Sequence, residues 1–237
     1  MKNTHIMKVL IFATALATQA HATQLILNGG FELGLTNWTI ANQVGSDGAF
    51  LLQSGTTSPV NGDLVPLPPG PIRAAMTDSQ GPGSHVLYQD FVVPNVISVP
   101  FSLSFMLYLN NQAGAYSVPN TLDFSTPTLN QQFRVDIITT AANPFSVAGA
   151  DVLQNLYQTN VGDPLTSGYA LVSANVTALL QARGGQTLRL RFAEADNVNI
   201  FHAGVDQVSL SEVTVPEPST MFAGFAILGL ALIRRKK

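Results

Sequence analysis

The sequence predicts an all-β domain, a jelly-roll sandwich of two packed antiparallel sheets, set between two apolar terminal segments. Charged residues are sparse, at 11%, while turn formers are plentiful, with 19 glycines and 14 prolines among 237 residues. The apolar residues cluster in short runs separated by these turn formers, which is how a chain of many strands reads. Strand and helix patterns do not alternate, so a parallel βαβ sheet is excluded. Several runs alternate apolar with polar, giving each sheet one apolar face, and two such faces leave water only by packing on each other.

The clearest strand is 101–109. Phe101, Leu103, Phe105, Leu107 and Leu109 fall on one face, and Ser102, Ser104, Met106 and Tyr108 on the other. Residues 133–137 and 188–192 alternate in the same way, and Arg189 and Arg191 point together toward solvent or a partner sheet's acids. Weaker strands at 24–27, 49–52, 72–76, 86–93, 152–157, 169–175 and 203–210 bring the total to about ten. One short helix is expected over 176–182, stopped by Gly184-Gly185 as a carboxy-terminal cap requires. The loops 54–71 and 110–130 are too long for hairpins and read as lids or binding loops.

The amino terminus carries Lys2 and Lys8, an apolar run over 9–17, and Ala20-His21-Ala22. That order of charge, hydrophobe and small residues is what a signal peptidase reads, so 1–22 is expected to be removed. The run is too short to anchor the chain, since a spanning helix needs about 20 residues. At the other end, Val215-Pro216-Glu217-Pro218-Ser219-Thr220 precedes an apolar stretch over 221–233 and then Arg234-Arg235-Lys236-Lys237. The prolines break any preceding element, the apolar helix enters the inner membrane, and the basic cluster resists translocation, leaving the intervening 23–214 domain outside. Thirteen helical residues rise only about 20 Å, a short anchor against a hydrocarbon core of about 30 Å.

Between the two ends the charge changes sign of emphasis. Residues 23–214 hold five arginines against thirteen acids, a net of −8, and no lysine. Such a surface repels phosphate backbones, which excludes nucleic acid as a partner and leaves sugars and divalent cations. With no cysteine there are no disulfides, thiolate metal sites or cysteine nucleophiles. About 190 residues suffice for one domain held together by burial.

The tripartite end over 215–237 resembles the PEP-CTERM sorting signal of exopolysaccharide-producing Gram-negative bacteria. The resemblance implies that a membrane-embedded exosortase recognises Pro216, Glu217 and Pro218 and processes the tail that carries Arg234 and Arg235. It also implies a cell-surface or extracellular-matrix location, associated with biofilm, and a transient membrane anchor. The order Leu27-Asn28-Gly29-Gly30-Phe31-Glu32, Trp38, Tyr88-Gln89-Asp90-Phe91, the 101 strand, the 188–192 strand and Gly204-Val205-Asp206-Gln207-Val208-Ser209-Leu210 is similar to galactose-binding-like sandwich domains, which include carbohydrate-binding modules. That likeness covers nearly all of residues 24–212.

It implies a structural Ca2+ held by Glu32 and Asp206, with Gly30 and Asp47 contributing from neighbouring turns; hard cations favour such oxygen donors. The other reading of Glu32 and Asp206 is as turn caps accepting backbone amides. A sugar site needs aromatic faces for pyranose C–H groups and polar side chains for hydroxyls. Trp38, Tyr88, Tyr108, Tyr116 and Tyr157 are available, with Gln132, Arg134, Arg189 and Arg191. Tyr108, Tyr116 and Arg134 are the residues expected to touch exopolysaccharide, the alternative for the tyrosines being ordinary sheet packing, and Trp38 is expected in the core. Catalysis has little to build on: His85 and His202 lack zinc-site spacing and no Gly-x-Ser-x-Gly elbow occurs. A glycan-cleaving enzyme could draw only on acids such as Asp136, Glu194, Asp196 and Asp206, and a purely structural envelope component is the remaining alternative.

Overall fold

The computed structural model describes residues 23–59, 61–78 and 81–213. The expected signal peptide, the sorting segment with Pro216, Glu217, Pro218, Arg234 and Arg235, and the apolar helix at 221–233 lie outside the described residues. The elements in chain order are β1 (Thr39–Asn42), β2 (Ala49–Ser54), β3 (Arg73–Asp78), β4 (Gly83–Val92), β5 (Phe101–Asn111), β6 (Gln131–Thr139), β7 (Val152–Gln158), β8 (Ala170–Asn175), α1 (Thr177–Gln181), β9 (Thr187–Asp196) and β10 (Phe201–Glu212). They form two five-stranded sheets, ordered β1-β4-β9-β6-β7 and β2-β3-β10-β5-β8. Every pairing is antiparallel. Partners such as β4 and β9, far apart in sequence, are brought together by connections that cross between the layers, giving the jelly-roll sandwich.

The core lies between the sheets. Leu87 and Phe91 of β4, Phe133, Val135 and Ile137 of β6, and Leu188, Leu190 and Phe192 of β9 face Phe101, Leu103 and Phe105 of β5 and Ala203, Val205 and Leu210 of β10. Phe105 meets Phe192 edge to face, with ring centroids 5.2 Å apart. Fully burying each large side chain of this kind contributes roughly 1.5–3 kcal/mol. The remaining positions of β4, β6 and β9, among them Tyr88, Asp90, Arg134, Asp136, Arg189 and Arg191, therefore project from the outer face of their sheet.

The expected strand at 24–27 does not form. Gln24 makes one antiparallel bridge to Ser211, and its Oε1 accepts the N–H groups of Leu210 and Ile26 in place of a ladder. The tenth strand is instead β1, four mostly exposed edge residues with no alternation for periodicity to detect. The helix forms within the expected bounds, burying Leu180, and Gly185 turns the chain at φ +75 and donates its N–H to Val93 O.

One turn ties the chain's beginning to its end. Asn28 (φ 52) and Phe31 (φ 54) are left-handed, and so is Gln207 (φ 50), in a bulge where the β10–β5 register shifts between Asp206 and Ser209. Gly29 lies directly on that bulge: its carbonyl accepts Val208 N–H at 2.9 Å, and a Cβ at position 29 would stand 1.9 Å from Val208 O. Gly30 has no atom within 4 Å of its Cβ position. Gly29→Ala is therefore expected to cost about 1–3 kcal/mol and Gly30→Ala less than about 0.5, a contrast that thermal unfolding of the two variants checks.

Candidate functional site

The bulge and the turn place Glu32 and Asp206 side by side. Glu32 Oε1 accepts the N–H groups of Ile72 and Arg73 at 3.1 and 3.3 Å, and Asp206 accepts those of Gly70 and Gln207, both at 2.7 Å. A Cβ on Gly70 would meet Asp206 Oδ2 at 2.8 Å and Glu32 Oε1 at 3.4 Å, so both carboxylates converge on this glycine. Burial pushes the Asp206 carboxyl up to about 6 against the two amides that favour its charge, and the Glu32 charge adds to the rise. Asp47, also expected here, does not join them. β2 and β3 pair from Ala49↔Asp78 to Ser54↔Arg73; Glu32 sits at the Arg73 end and Asp47 precedes the Ala49 end, roughly 17 Å away along an extended strand. Gly30 has open space at its Cβ position, the tight contact in that turn belonging to Gly29. Among the described residues no group of three or more His, Asp or Glu side chains converges as a metal centre.

The three residues expected to touch glycan are buried, for three different reasons. Tyr108 does lie on the outer face of its sheet, but Val65 and Met76 cover it and it packs against Tyr169 at 5.6 Å, leaving 3% of it exposed. Tyr116 packs edge-on against Phe201, with ring centroids 5.7 Å apart, and donates its hydroxyl to Pro164 O. Arg134 grips Asp136 through Nε and Nη2 at 2.7 and 2.8 Å. Asp136 also accepts Nε and Nη2 of Arg191 at 3.0 and 2.8 Å and Asn155 Nδ2 at 2.8 Å, while Arg191 Nη1 donates to Pro144 O. Burial pushes the Asp136 carboxyl up, but the hydrogen bond from Arg134 and the charges of both arginines outweigh it and hold the carboxyl below its ordinary value. The loop 140–151 closes over this cluster, with Phe145 and Val147 packed on Val86, Ala193 and Ala195.

A second set of acids gathers at one end of the sandwich interior. Glu194 is fully buried, no N–H or hydroxyl donor reaches its oxygens, its carboxyl lies in hydrogen-bonding contact with that of Asp196, and it pairs across strands with His85 and Phe133. Asp196 accepts Gly83 N–H at 3.0 Å and lines a cavity of about 140 Å³ with Pro82 and Asn199. Burial, then the Asp196 charge, pushes Glu194 well above the ordinary carboxylate range, and burial pushes Asp196 up to about 7. His85 binds Asn42 and the Asp47 carbonyl, and burial lowers it to about 4. Glu194 is thus held protonated in the interior, while Asp196 stands between it and the cavity.

The open polar surface lies on the outer face of the β1-β4-β9-β6-β7 sheet, where Leu27, Asn37, Thr39, Tyr88, Asp90 and Arg189 line a cleft of about 350 Å³, at the lower end of the range for small-ligand sites. Arg189 Nε and Nη2 donate to Asp90 Oδ1 and Oδ2 at 2.6 and 2.9 Å, and the guanidinium carbon stands 4.0 Å from the centre of the Tyr88 ring. Among the described residues, Arg189 Nη1, the Tyr88 hydroxyl, the Thr39 hydroxyl and the Asn37 amide make no hydrogen bond. The acids and bases of this face thus fall in two adjacent cross-strand rows, Tyr88-Arg191-Asp136 and Asp90-Arg189, shut around Arg191, Asp136 and Arg134 and open at Tyr88, Asp90 and Arg189. Tyr88 and Arg189 stood among the available sugar-binding groups in the sequence. What singles them out is that β4 and β9 are neighbours, so that Tyr88 and Asp90 share an outward face with Arg189.

No family model matches the chain, and no curated protein matches it in sequence. Among solved structures it is similar to the enzymatically active domain of bacteriophage CBA120 tailspike protein 4, with 11% identity, a TM-score of 0.46 and 80% of this chain aligned, though the chain spans only 21% of that one. It is similar to TmCBM61 in complex with β-1,4-galactotriose, with 9% identity and a TM-score of 0.45 over 81% of this chain and 99% of that one. It is also similar to the K3 cleaved adhesin domain of Lys-gingipain from Porphyromonas gingivalis W83, with 13% identity and a TM-score of 0.47 over 80% of this chain and all of the other.

Proposed function

We propose that the chain is an exported, non-catalytic glycan-binding protein whose sugar site is the Tyr88-Asp90-Arg189 cleft. The observation that carries this reading is the contrast between the buried and the exposed ion pair on one sheet face. In the buried half one carboxylate is shared by two guanidinium groups out of reach of solvent, whereas the open half presents an exposed carboxylate and unused donors and acceptors beside the exposed Leu27. Sugars need that mixture of hydroxyl partners and apolar surface. Of the acids a glycosidase would draw on, Asp136 is locked between two arginines, Glu194 is buried, and Asp206 belongs to the other sheet. The test is a glycan array probed with the full chain in detergent micelles. Binding to a subset of glycans is expected, weakened at least about tenfold by Arg189→Met; silence of the wild-type chain across the array contradicts the reading.

The same proposal has signal peptidase removing 1–22 and an exosortase processing the tail beyond Pro216, so that the domain reaches the cell surface or matrix and meets exopolysaccharide there. Support comes from the order of charge and hydrophobicity at the two ends. Mass spectrometry of the protein from its host should find both ends trimmed, and an untrimmed chain in the cytosol contradicts it.

Glu32 and Asp206 are proposed to hold a structural Ca2+. Two carboxylates brought together beside Gly70 supply the hard oxygen donors such an ion takes and would be relieved of their mutual repulsion by it. The four amides on the same oxygens serve equally well the alternative in which these acids only cap turns. An ion that binds only the folded state stabilises by roughly 2.7 kcal/mol at a hundredfold excess over its Kd. Chelation is then expected to lower the Tm by roughly 5–10 °C. Superimposable melting curves with calcium and with chelator assign the two acids to capping alone.

A further inference from the structure

We infer, resting on the glycan reading above, that the cleft selects a neutral saccharide with vicinal hydroxyls and that Asp90 turns acidic polysaccharides away. The decisive geometry is which partner of the ion pair faces the solvent. The Asp90 side chain is 39% exposed and that of Arg189 only 11%. An approaching ligand meets the carboxylate first, and the guanidinium lies behind it, pinned on one side by Asp90 and on another by the Tyr88 ring.

A uronate, sulfate or phosphate that accepts from Arg189 Nη1 must sit beside the exposed Asp90 charge, and one that takes the bidentate position must displace Asp90 and remain beside it. The hydrogen bonds that Arg189 donates to Asp90 favour the charged guanidinium and raise its pKa, so the pair resists such exchange. The surrounding 23–214 domain, at a net of −8, adds repulsion at longer range. A neutral diol needs no exchange. One hydroxyl donates to a free lone pair of Asp90 while its neighbour accepts from Arg189 Nη1, whose protons no described residue uses. Tyr88, Thr39 and Asn37 offer further hydroxyl and amide partners along the same wall.

The test uses the full chain in detergent micelles and titrates two probes at low and at moderate salt. One is a set of neutral oligosaccharides (cello-, galacto- and laminari-oligosaccharides) and the other a set of uronic-acid oligosaccharides. Asp90→Asn is compared with Glu212→Gln, which removes the same charge at the far end of β10. Neutral sugars are expected to bind the wild type with little salt dependence and uronic ones not to bind. Asp90→Asn should shift the acidic-to-neutral affinity ratio by about tenfold at low salt, and Glu212→Gln should leave it unchanged. Salt-sensitive binding of uronic sugars to the wild type, or equal ratios for both variants, overturns the inference and leaves the glycan site standing. Failure of both probe classes to bind overturns the glycan reading and the inference with it.

Discussion

Glu194→Gln is expected to raise the melting temperature by about 5–10 °C at pH 8.5 and to leave it nearly unchanged at pH 4. Glu194 is fully buried, receives no N–H or hydroxyl donor and shares a proton with Asp196, so the folded state keeps protons on this pair that the unfolded chain gives up near the ordinary carboxylate value. Where the native state binds more protons than the unfolded one, stability falls as pH rises, by about 1.4 kcal/mol per unit for each such group. The pair's contribution is whole below about pH 4 and is lost as pH rises through about 7, the value to which Asp196 is pushed. His85, lowered to about 4, acts in the opposite direction between its lowered value and its ordinary one near 6.5, because there the unfolded chain binds the extra proton. Above pH 6.5 the histidine is silent and the carboxyl pair sets the slope. Glutamine keeps the size of the side chain and has no charge to bury, and a ΔΔG of a few kcal/mol in a domain of this size gives the quoted shift. Melting curves of the two proteins across pH 4–9 check this; curves that stay parallel above pH 6.5 contradict it.

Asp136→Ala is expected to cost about 3–5 kcal/mol, a loss of roughly 6–20 °C in Tm. The side chains of Arg191 and Asp136 are 0% exposed and that of Arg134 is 7% exposed, and a single carboxylate compensates both guanidinium groups. Removing it leaves two cations beneath the loop 140–151 with no carboxylate in contact, Asp151 acting on Arg191 only at longer range. The substitution is informative because it separates the closed half of the polar face from the open half. Removing the exposed partner in Asp90→Ala should cost no more than about 1 kcal/mol, as for other surface pairs. Urea unfolding of the two variants measures the difference, and equal midpoints would show that burial does not distinguish the two ion pairs.

The sheets were legible because their core is written in alternation. Phe101 to Leu109 and Leu188 to Phe192 declare their inward faces residue by residue, and the inward set found in the structure is the apolar set. The β1 strand was not legible, since Thr39–Asn42 is a short, exposed edge whose partner, β4, is far along the chain. At the candidate sites the pairing of Glu32 with Asp206 comes from the resemblance to galactose-binding-like domains, and the structure supplies its physical cause, the close approach of Gly29 to the Val208 carbonyl. Exposure could not be reached. Periodicity places Tyr108 and Arg134 on outward faces, which they occupy, but it is silent on which loop folds over which face. Val65 arrives over Tyr108 from the 54–72 loop, and Pro144 arrives over the Arg191 cluster from the loop after β6. The open part of the face, at Tyr88, Asp90 and Arg189, is what those loops leave uncovered.

The measurement that bears most directly on the account is an NMR titration of the full chain with the oligosaccharide that binds best on the array, following amide and arginine Nε–H resonances. The account predicts the largest shifts at Asn37, Thr39, Tyr88 and Asp90 and at the Arg189 Nε–H. Shifts centred on Tyr108 and Tyr116, with the Arg189 Nε–H unmoved, would contradict it.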